Sequence, residues 1–310
     1  MLSRIAESFY WMGRYLERAE ATTRLLAEHH QLVVEDQSVE FSLAAGVLVD
    51  ALAISSARPT TGEHLARLVI GSPSEPATIS GAVSAARDNA RSVRGALSSD
   101  TYESINAVQI LLARGFGRGT SPGVALHRLL ERLLVVNGVV EWTMARDEAH
   151  DFLVLGRELE RIDMMGRMLA MRHDLLWPTI GPAAVLRACG GLSAFLRTGE
   201  PSVGEKVRAF LVLDRTFPRS MRACADDAEQ AVRALASSGV SDGGQLLSEV
   251  GMLRSNLEYA SAGQPGVVDA LIETAAALLV VLLLTAAERR GGEAAKKTGT
   301  RQPRSKAVGP

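Results

Sequence analysis

The stretch AESFYWMGRYLERAEATTRLLA at residues 6–27 recurs in altered form as AHDFLVLGRELERIDMMGRMLA at residues 149–170. The two copies begin 143 positions apart and are identical at ten of 22 positions. The identical pairs are Ala6/Ala149, Phe9/Phe152, Gly13/Gly156, Arg14/Arg157, Leu16/Leu159, Glu17/Glu160, Arg18/Arg161, Arg24/Arg167, Leu26/Leu169 and Ala27/Ala170. Because self-similarity at a fixed period indicates a duplicated unit, the sequence predicts two related halves.

The composition is that of a globular protein. Of 310 residues, 47% are hydrophobic and 22% are charged, which is enough for a large core and excludes a disordered chain. The formal net charge is −1. Since nucleic-acid-binding domains are usually strongly basic, this balance argues against a nucleic-acid partner.

Clusters of Gly and Pro divide the chain into segments rich in Ala, Leu, Arg and Glu, with apolar residues three and four positions apart. This spacing is typical of amphipathic helices, and no run of alternating β-branched residues indicates a strand. The sequence therefore predicts an all-α multi-helix bundle built from a tandem duplication, with no β-sheet. The candidate helices are 3–35, 41–56, 62–70, 78–97, 100–114, 123–147, 150–176, 183–197, 203–213, 219–237, 242–261 and 266–290.

The duplication sets the expected domain organisation. Residues 1–145 form the first helical half and residues 146–290 the second. Residues 291–310 contain five basic residues, one acidic residue and no apolar pattern, so we expect a disordered basic tail.

The sequence predicts a cytoplasmic protein. Cys189 and Cys224 are too few for a disulfide framework and are interpreted as small buried hydrophobic residues, and the N-terminus lacks the pattern of a signal peptide. The most apolar run, residues 274–287, is shorter than the roughly 20 residues that span a bilayer. We interpret it as a buried helix of the bundle and expect no membrane contact.

The repeated helix carries a charged arc. At 100° per residue, Phe9, Met12 and Leu16 share an apolar face that should belong to the core. An Arg-Glu-Arg cluster lies on the other side of each copy. The first cluster is Arg14, Glu17 and Arg18, and the second cluster is Arg157, Glu160 and Arg161.

Two uses of these clusters remain open. On an exposed face, pairs such as Arg14 with Glu17 and Glu20 with Arg24 would contribute about 0.2–0.5 kcal/mol each. Against another helix or in a groove, the guanidinium groups could instead bridge to buried carboxylates or backbone carbonyls, or bind a carboxylate or phosphate of a ligand. Gly13 favours burial, because a glycine within a helix costs about 1 kcal/mol relative to alanine and makes sense where another backbone packs closely.

The repeat resembles the bacterial Alpha-E family of all-helical, tandemly duplicated proteins with a Glu-Arg motif. The resemblance rests on SFYWMGRYLERAEATTRLL at residues 8–26, FLVLGRELERIDMMGRML at residues 152–169 and LDRTFPRSMR at residues 213–222. It covers about residues 1–290, with His150 as a departure where the family tends to carry an aromatic residue. The family's Glu-Arg residues correspond to Glu17, Arg18, Glu160 and Arg161.

The resemblance implies a partner more clearly than a reaction. Alpha-E proteins occur beside circularly permuted ATP-grasp ligases and transglutaminase-like proteins, in a system for peptide synthesis or modification. Their own activity is undefined, so the resemblance assigns no catalytic role to the Glu-Arg residues.

Motifs for independent chemistry are missing from the sequence. Helical di-metal sites use Glu-x-x-His, and the nearest spacing here is Asp147 with His150. We therefore predict no metal, no cofactor and no catalytic residue. The preferred hypothesis is a non-catalytic accessory or scaffold protein for an ATP-grasp amide ligase. The alternative is an enzyme or peptide-substrate carrier that uses the two Arg-Glu-Arg clusters as its active surface.

Overall fold

The computed structural model describes residues 3–35, 40–54, 58–115, 119–239, 243–260 and 267–275. Its helices are α1 (Ser3–Glu35), α2 (Phe41–Ala51), α3 (Gly62–Ile70), α4 (Ile79–Ser92), α5 (Ser99–Arg114), α6 (Pro122–Thr143), α7 (Glu148–Ala170), α8 (His173–Leu176), α9 (Gly181–Ala188), α10 (Leu192–Leu196), α11 (Gly204–Leu213), α12 (Met221–Ser237) and α13 (Gly243–Tyr259). Residues 267–275 are also helical. No strand occurs within these ranges, so the all-α prediction is confirmed.

The centre of the fold is the contact between α1 and α7, the helices that carry the repeat. A Cβ atom on Gly13 would lie 2.1 Å from the carbonyl oxygen of Leu153, and one on Gly156 would lie 2.0 Å from that of Tyr10. Leu153 precedes Gly156 by three residues, as Tyr10 precedes Gly13. The two helices therefore meet through equivalent positions, as in a two-fold arrangement, and the close backbone packing predicted at Gly13 is confirmed.

Each half then packs a second helix on its repeat helix. The helix α4 lies along α1, and α12 lies along α7. Thr78 caps α4 and Ser220 caps α12, each with a side-chain oxygen that accepts a hydrogen bond from a backbone N–H of the first turn. The preceding residues are Pro76-Ala77 in one half and Pro218-Arg219 in the other. This equivalence places Arg219 where the first half has Ala77.

The two halves share one apolar core. Phe9 of α1, Val83 of α4, Leu159 of α7 and Val232 of α12 all belong to the same cluster of buried side chains. The helix α1 is buried around most of its circumference, between α4, α6, α7 and α9. The structure contains one core shared by both halves. The boundary between residues 145 and 146 therefore stays a prediction that rests on the sequence repeat.

Several helices end earlier than the sequence predicts. The candidate helix 150–176 is interrupted because Met171 adopts an extended conformation after α7. The candidate helix 183–197 is divided because Gly190 takes a left-handed conformation with φ of 71°, which glycine adopts without steric cost. The candidate helix 78–97 ends as α4 and continues as a 3-10 turn at Arg94–Ala96.

The C-terminal predictions fall mostly beyond the described residues. Of the candidate helix 266–290, residues 267–275 are helical, and residues 276–290 lie outside the described part, as does the predicted tail 291–310. Among the helices that the structure describes, none has the length and apolar character required to cross a membrane. Cys189 and Cys224 are buried and unpaired, which confirms their interpretation as small core residues.

Candidate functional site

The two Arg-Glu-Arg clusters face each other across the α1–α7 contact. Glu17 and Glu160 are fully buried, and Arg14 is 2% exposed. The two helix backbones come close together at Gly13, one residue before Arg14, and at Gly156, one residue before Arg157. Arg14, which follows the first of these glycines, therefore reaches the opposite helix and bonds to Glu160.

Glu160 is held by both arginines of the first cluster. Arg14 donates a hydrogen bond from Nε to Glu160 Oε2 at 2.6 Å, and Arg18 donates from Nε to Glu160 Oε1 at 2.5 Å. Each carboxylate oxygen thus receives its own guanidinium group. Charge-assisted bonds of this kind are shorter and stronger than neutral hydrogen bonds.

Glu17 is held in a similar way by arginines of the second half. Arg161 donates from Nη2 to Glu17 Oε2 at 2.7 Å. The other oxygen, Oε1, accepts a hydrogen bond from Nη2 of Arg219 at 2.5 Å. The Arg161–Glu17 pair is the repeat equivalent of the Arg18–Glu160 pair.

Arg219 is a member of this site that the repeat did not predict. It precedes the cap of α12 and also donates to Glu20 at 3.0 Å. The equivalent position of the first half is Ala77, so the second half alone supplies an arginine from this place. One feature of the sequence indicated a role for Arg219. This residue lies in LDRTFPRSMR at residues 213–222, one of the stretches on which the family resemblance rests.

Arg157 departs from the symmetry of the repeat. Its equivalent, Arg14, pairs with the opposite helix, but Arg157 donates to Glu158 at 2.8 Å and to Glu141 of α6 at 2.6 Å. Glu158 is fully buried and stands where the first copy has Tyr15. This additional carboxylate attracts Arg157, and Arg219 takes the place beside Glu17.

Further ion pairs connect the clusters to neighbouring helices. Glu20 accepts hydrogen bonds from Arg24 at 2.9 Å and from Asn137 of α6 at 2.6 Å. In the other copy, Asp163 accepts from Arg167 at 3.0 Å. We call the whole set the ion-pair network; its members are Arg14, Glu17, Arg18, Glu20, Arg24, Glu141, Arg157, Glu158, Glu160, Arg161, Asp163, Arg167 and Arg219.

Ion pairing holds Glu17 and Arg14 in the charged form. Burial alone would raise the pKa of Glu17, but Arg161 and Arg219 outweigh burial and lower that pKa to about 2. Burial alone would lower the pKa of Arg14, but Glu160 raises it above the usual value. Burial, partly opposed by Arg14, raises the pKa of Tyr10. At neutral pH the carboxylate of Glu17 is ionised and Tyr10 is neutral.

Aromatic side chains line one end of the network. The guanidinium carbon of Arg14 lies 6.0 Å from the ring centroid of Tyr10 and 5.5 Å from that of Trp11. A cation near an aromatic ring is attracted by the ring's electron density. Tyr10 and Trp11 therefore both lie within cation–π distance of Arg14.

Five of the six cluster residues pair with one another across the α1–α7 contact, and Arg157 pairs with Glu141 and Glu158 instead. Glu17 and Glu160 each bind arginines on both oxygens, and the arginines of one half bind carboxylates of the other. A ligand carboxylate or phosphate would have to displace one of these internal partners. Among the described residues, no group of three His, Cys, Asp or Glu side chains is arranged to hold a metal ion.

Comparison with known proteins gives one match. The Alpha-E family model, described as a predicted alpha-helical domain with a conserved ER motif, matches residues 1–284. No curated protein and no solved structure matches the chain.

Proposed function

The chain belongs to the Alpha-E family, and from this premise we propose that it is a non-catalytic accessory or scaffold protein of an ATP-grasp-dependent peptide synthesis or modification system. Its proposed partners are a circularly permuted ATP-grasp ligase and a transglutaminase-like protein, in the cytoplasm. In this role the chain supplies a binding surface, and the ligase supplies the chemistry.

The observation that carries this proposal is the internal pairing of the two Arg-Glu-Arg clusters. Glu160 binds Arg14 and Arg18, and Glu17 binds Arg161 and Arg219. A general acid or base works best with a pKa near the operating pH. The pKa of Glu17 is instead lowered to about 2, which suits a structural carboxylate.

The alternative is that the clusters bind a peptide or catalyse a reaction. Such a role would require a cluster side chain to leave its partner and meet the substrate. Separating a buried ion pair costs about 3–5 kcal/mol when one charge is left unpaired. Substrate binding would have to supply that free energy, so the pairing favours the accessory role.

Co-purification with the ligase tests the proposal. The tagged full-length chain should retain the circularly permuted ATP-grasp ligase, and amide formation by the ligase should depend on the chain. If neither binding nor ligase rate depends on it, the accessory role is wrong.

A cluster variant separates the accessory role from the alternative. Arg18 is the suitable position, because its side chain is 26% exposed and its loss should leave the fold intact. The variant Arg18→Gln should support the ligase as well as the original chain does. A folded Arg18→Gln protein that binds the ligase but gives no activity would favour an active surface at the clusters.

A further inference from the structure

The hairpin of α5 and α6 carries a large share of the exposed apolar surface. In the described part of the chain ten large apolar side chains are exposed, and five of them lie on these two helices. They are Ile110, Val124, Leu134, Val135 and Trp142. The side chain of Trp142 is 89% exposed. Aromatic residues are enriched in protein interfaces relative to the remaining surface, so this face is a candidate contact surface.

A regular seam runs along the outer side of α6. Its positions follow one another at alternating intervals of three and four residues and fall within an arc of about 100°. We call this set the α6 seam; it consists of Ser121, Val124, Arg128, Glu131, Val135, Gly138 and Trp142. Alternation of three and four is the spacing with which a helix packs lengthwise against another helix.

The α6 seam is complementary to itself in the antiparallel direction. If a second α6 lies alongside with Arg128 opposite Glu131, then Val124 lies opposite Val135 and Ser121 lies opposite Gly138. Every pair occurs twice, once from each copy. Unlike charges meet, apolar residues meet and small residues meet. An interface with two-fold symmetry requires this kind of self-complementary surface.

Gly138 supports close approach at the end of the seam. Apart from its chain neighbours and the nearby backbone of its own helix, a methyl group added there would meet no described atom within 4 Å. Within its own fold, therefore, nothing requires a glycine at this position, although glycine is a poor helix former. In the antiparallel arrangement, Gly138 leaves room for Ser121 of the second copy, at the N-terminus of its α6.

We propose that the α6 seam binds a second copy of this chain in an antiparallel, two-fold dimer. Reciprocal Arg128–Glu131 pairs set the register, and the Val124–Val135 pairs bury the apolar part of the seam. Trp142 extends past the paired segment of α6. The proposal depends on α6 alone, so it is independent of the ligase partnership.

Sedimentation velocity of the full-length chain tests the dimer, at concentrations between about 1 and 100 µM. The original chain should shift from monomer to dimer across this range. The variant Arg128→Glu places like charges opposite each other twice and should weaken the dimer at least about tenfold. Glu131→Arg should do the same by the converse change. The matched control is Arg67→Glu on α3, where Arg67 is 72% exposed and outside the seam.

Mixing the two variants gives the sharpest outcome. In a mixed dimer, the acidic side chain introduced by Arg128→Glu would face the basic side chain introduced by Glu131→Arg. The unchanged Glu131 of the first chain would face the unchanged Arg128 of the second, so an equimolar mixture should regain the dimer. Gly138→Leu should weaken the dimer while the helix content of the monomer is retained. An original chain that stays monomeric up to about 100 µM, single variants that dimerise normally, or a mixture that stays monomeric would each overturn the proposal.

Discussion

Gly13 and Gly156 occupy equivalent positions on either side of one helix contact, each against a backbone carbonyl of the other helix. A Cβ on Gly13 would lie 2.1 Å from Leu153 O, and a Cβ on Gly156 would lie 2.0 Å from Tyr10 O. Arg14 directly follows Gly13 and pairs with Glu160 on the opposite helix. The glycines and the ion-pair network are therefore parts of one interface between the halves.

Alanine at either glycine should destabilise the fold. The added methyl group would overlap a carbonyl oxygen, so α1 and α7 would have to separate. We expect Gly13→Ala and Gly156→Ala each to lower the free energy of unfolding by about 3 kcal/mol, measured by urea denaturation. Gly138→Ala is the matched control, because an added methyl group there meets no described atom within 4 Å outside its chain neighbours and the nearby backbone of its own helix. Equal effects at Gly13 and Gly138 would disprove the close contact.

Removing the charge of Glu160 should leave two cations without their partner. The variant Glu160→Gln keeps the size of the side chain but cannot neutralise Arg14 and Arg18. We expect a loss of about 3–5 kcal/mol in unfolding free energy. The control is Glu63→Gln, which disrupts an exposed pair with Arg67 and should change stability by less than about 0.5 kcal/mol. A Glu160→Gln protein as stable as this control would show that the buried pairs contribute little.

Arg219 should stabilise the second half through its contacts with the first. The variant Arg219→Ala removes the hydrogen bonds to Glu17 and Glu20 and should cost about 3 kcal/mol. Arg215→Ala changes an exposed arginine of the same loop and should cost less than about 0.5 kcal/mol. Thermal unfolding would give the melting temperatures of both variants. Similar melting temperatures would contradict a stabilising role of Arg219.

His29 should make the fold sensitive to acid. Its side chain is buried, and neither ring nitrogen has a hydrogen-bond partner among the described residues. Burial, with a smaller effect of His30, lowers its pKa from 6.5 to about 4. The unfolded chain therefore binds a proton below pH 6.5 that the folded chain binds only near pH 4. Stability should fall by about 3 kcal/mol as pH decreases through this window.

The variant His29→Leu isolates this effect. Leucine cannot be protonated and suits the surrounding apolar side chains of Leu26, Val33 and Phe41. Urea unfolding between pH 7 and pH 4 should show a smaller loss of stability in the variant than in the original chain. Identical pH dependence in both would mean that His29 titrates normally in the folded protein.

The sequence predicted the helices of this fold better than their pairing. The repeat at residues 6–27 and 149–170 indicated a helical duplication, and the cost of Gly13 within a helix indicated a close backbone contact. The spacing of three and four residues along the helix also predicted the Glu20–Arg24 pair, which the structure contains. The same spacing predicted a pair between Arg14 and Glu17, but Arg14 pairs with Glu160 instead.

That difference has a physical cause. Residues three or four apart on one helix are neighbours whatever the rest of the chain does, whereas a pair such as Arg14–Glu160 depends on how two helices meet. Arg219, from the loop before α12, and Glu141, from α6, enter the network in the same way, through packing that no single segment encodes. The sequence therefore located the clusters but could not distinguish an internal network from a binding site.

A double-mutant cycle between Arg18 and Glu160 tests most directly whether the clusters hold the halves together. Urea unfolding would be measured for the original chain, Arg18→Gln, Glu160→Gln and the double variant. We predict a coupling free energy of at least about 1 kcal/mol, because these side chains share a partly buried hydrogen bond between helices. A coupling within about 0.5 kcal/mol of zero would contradict the account.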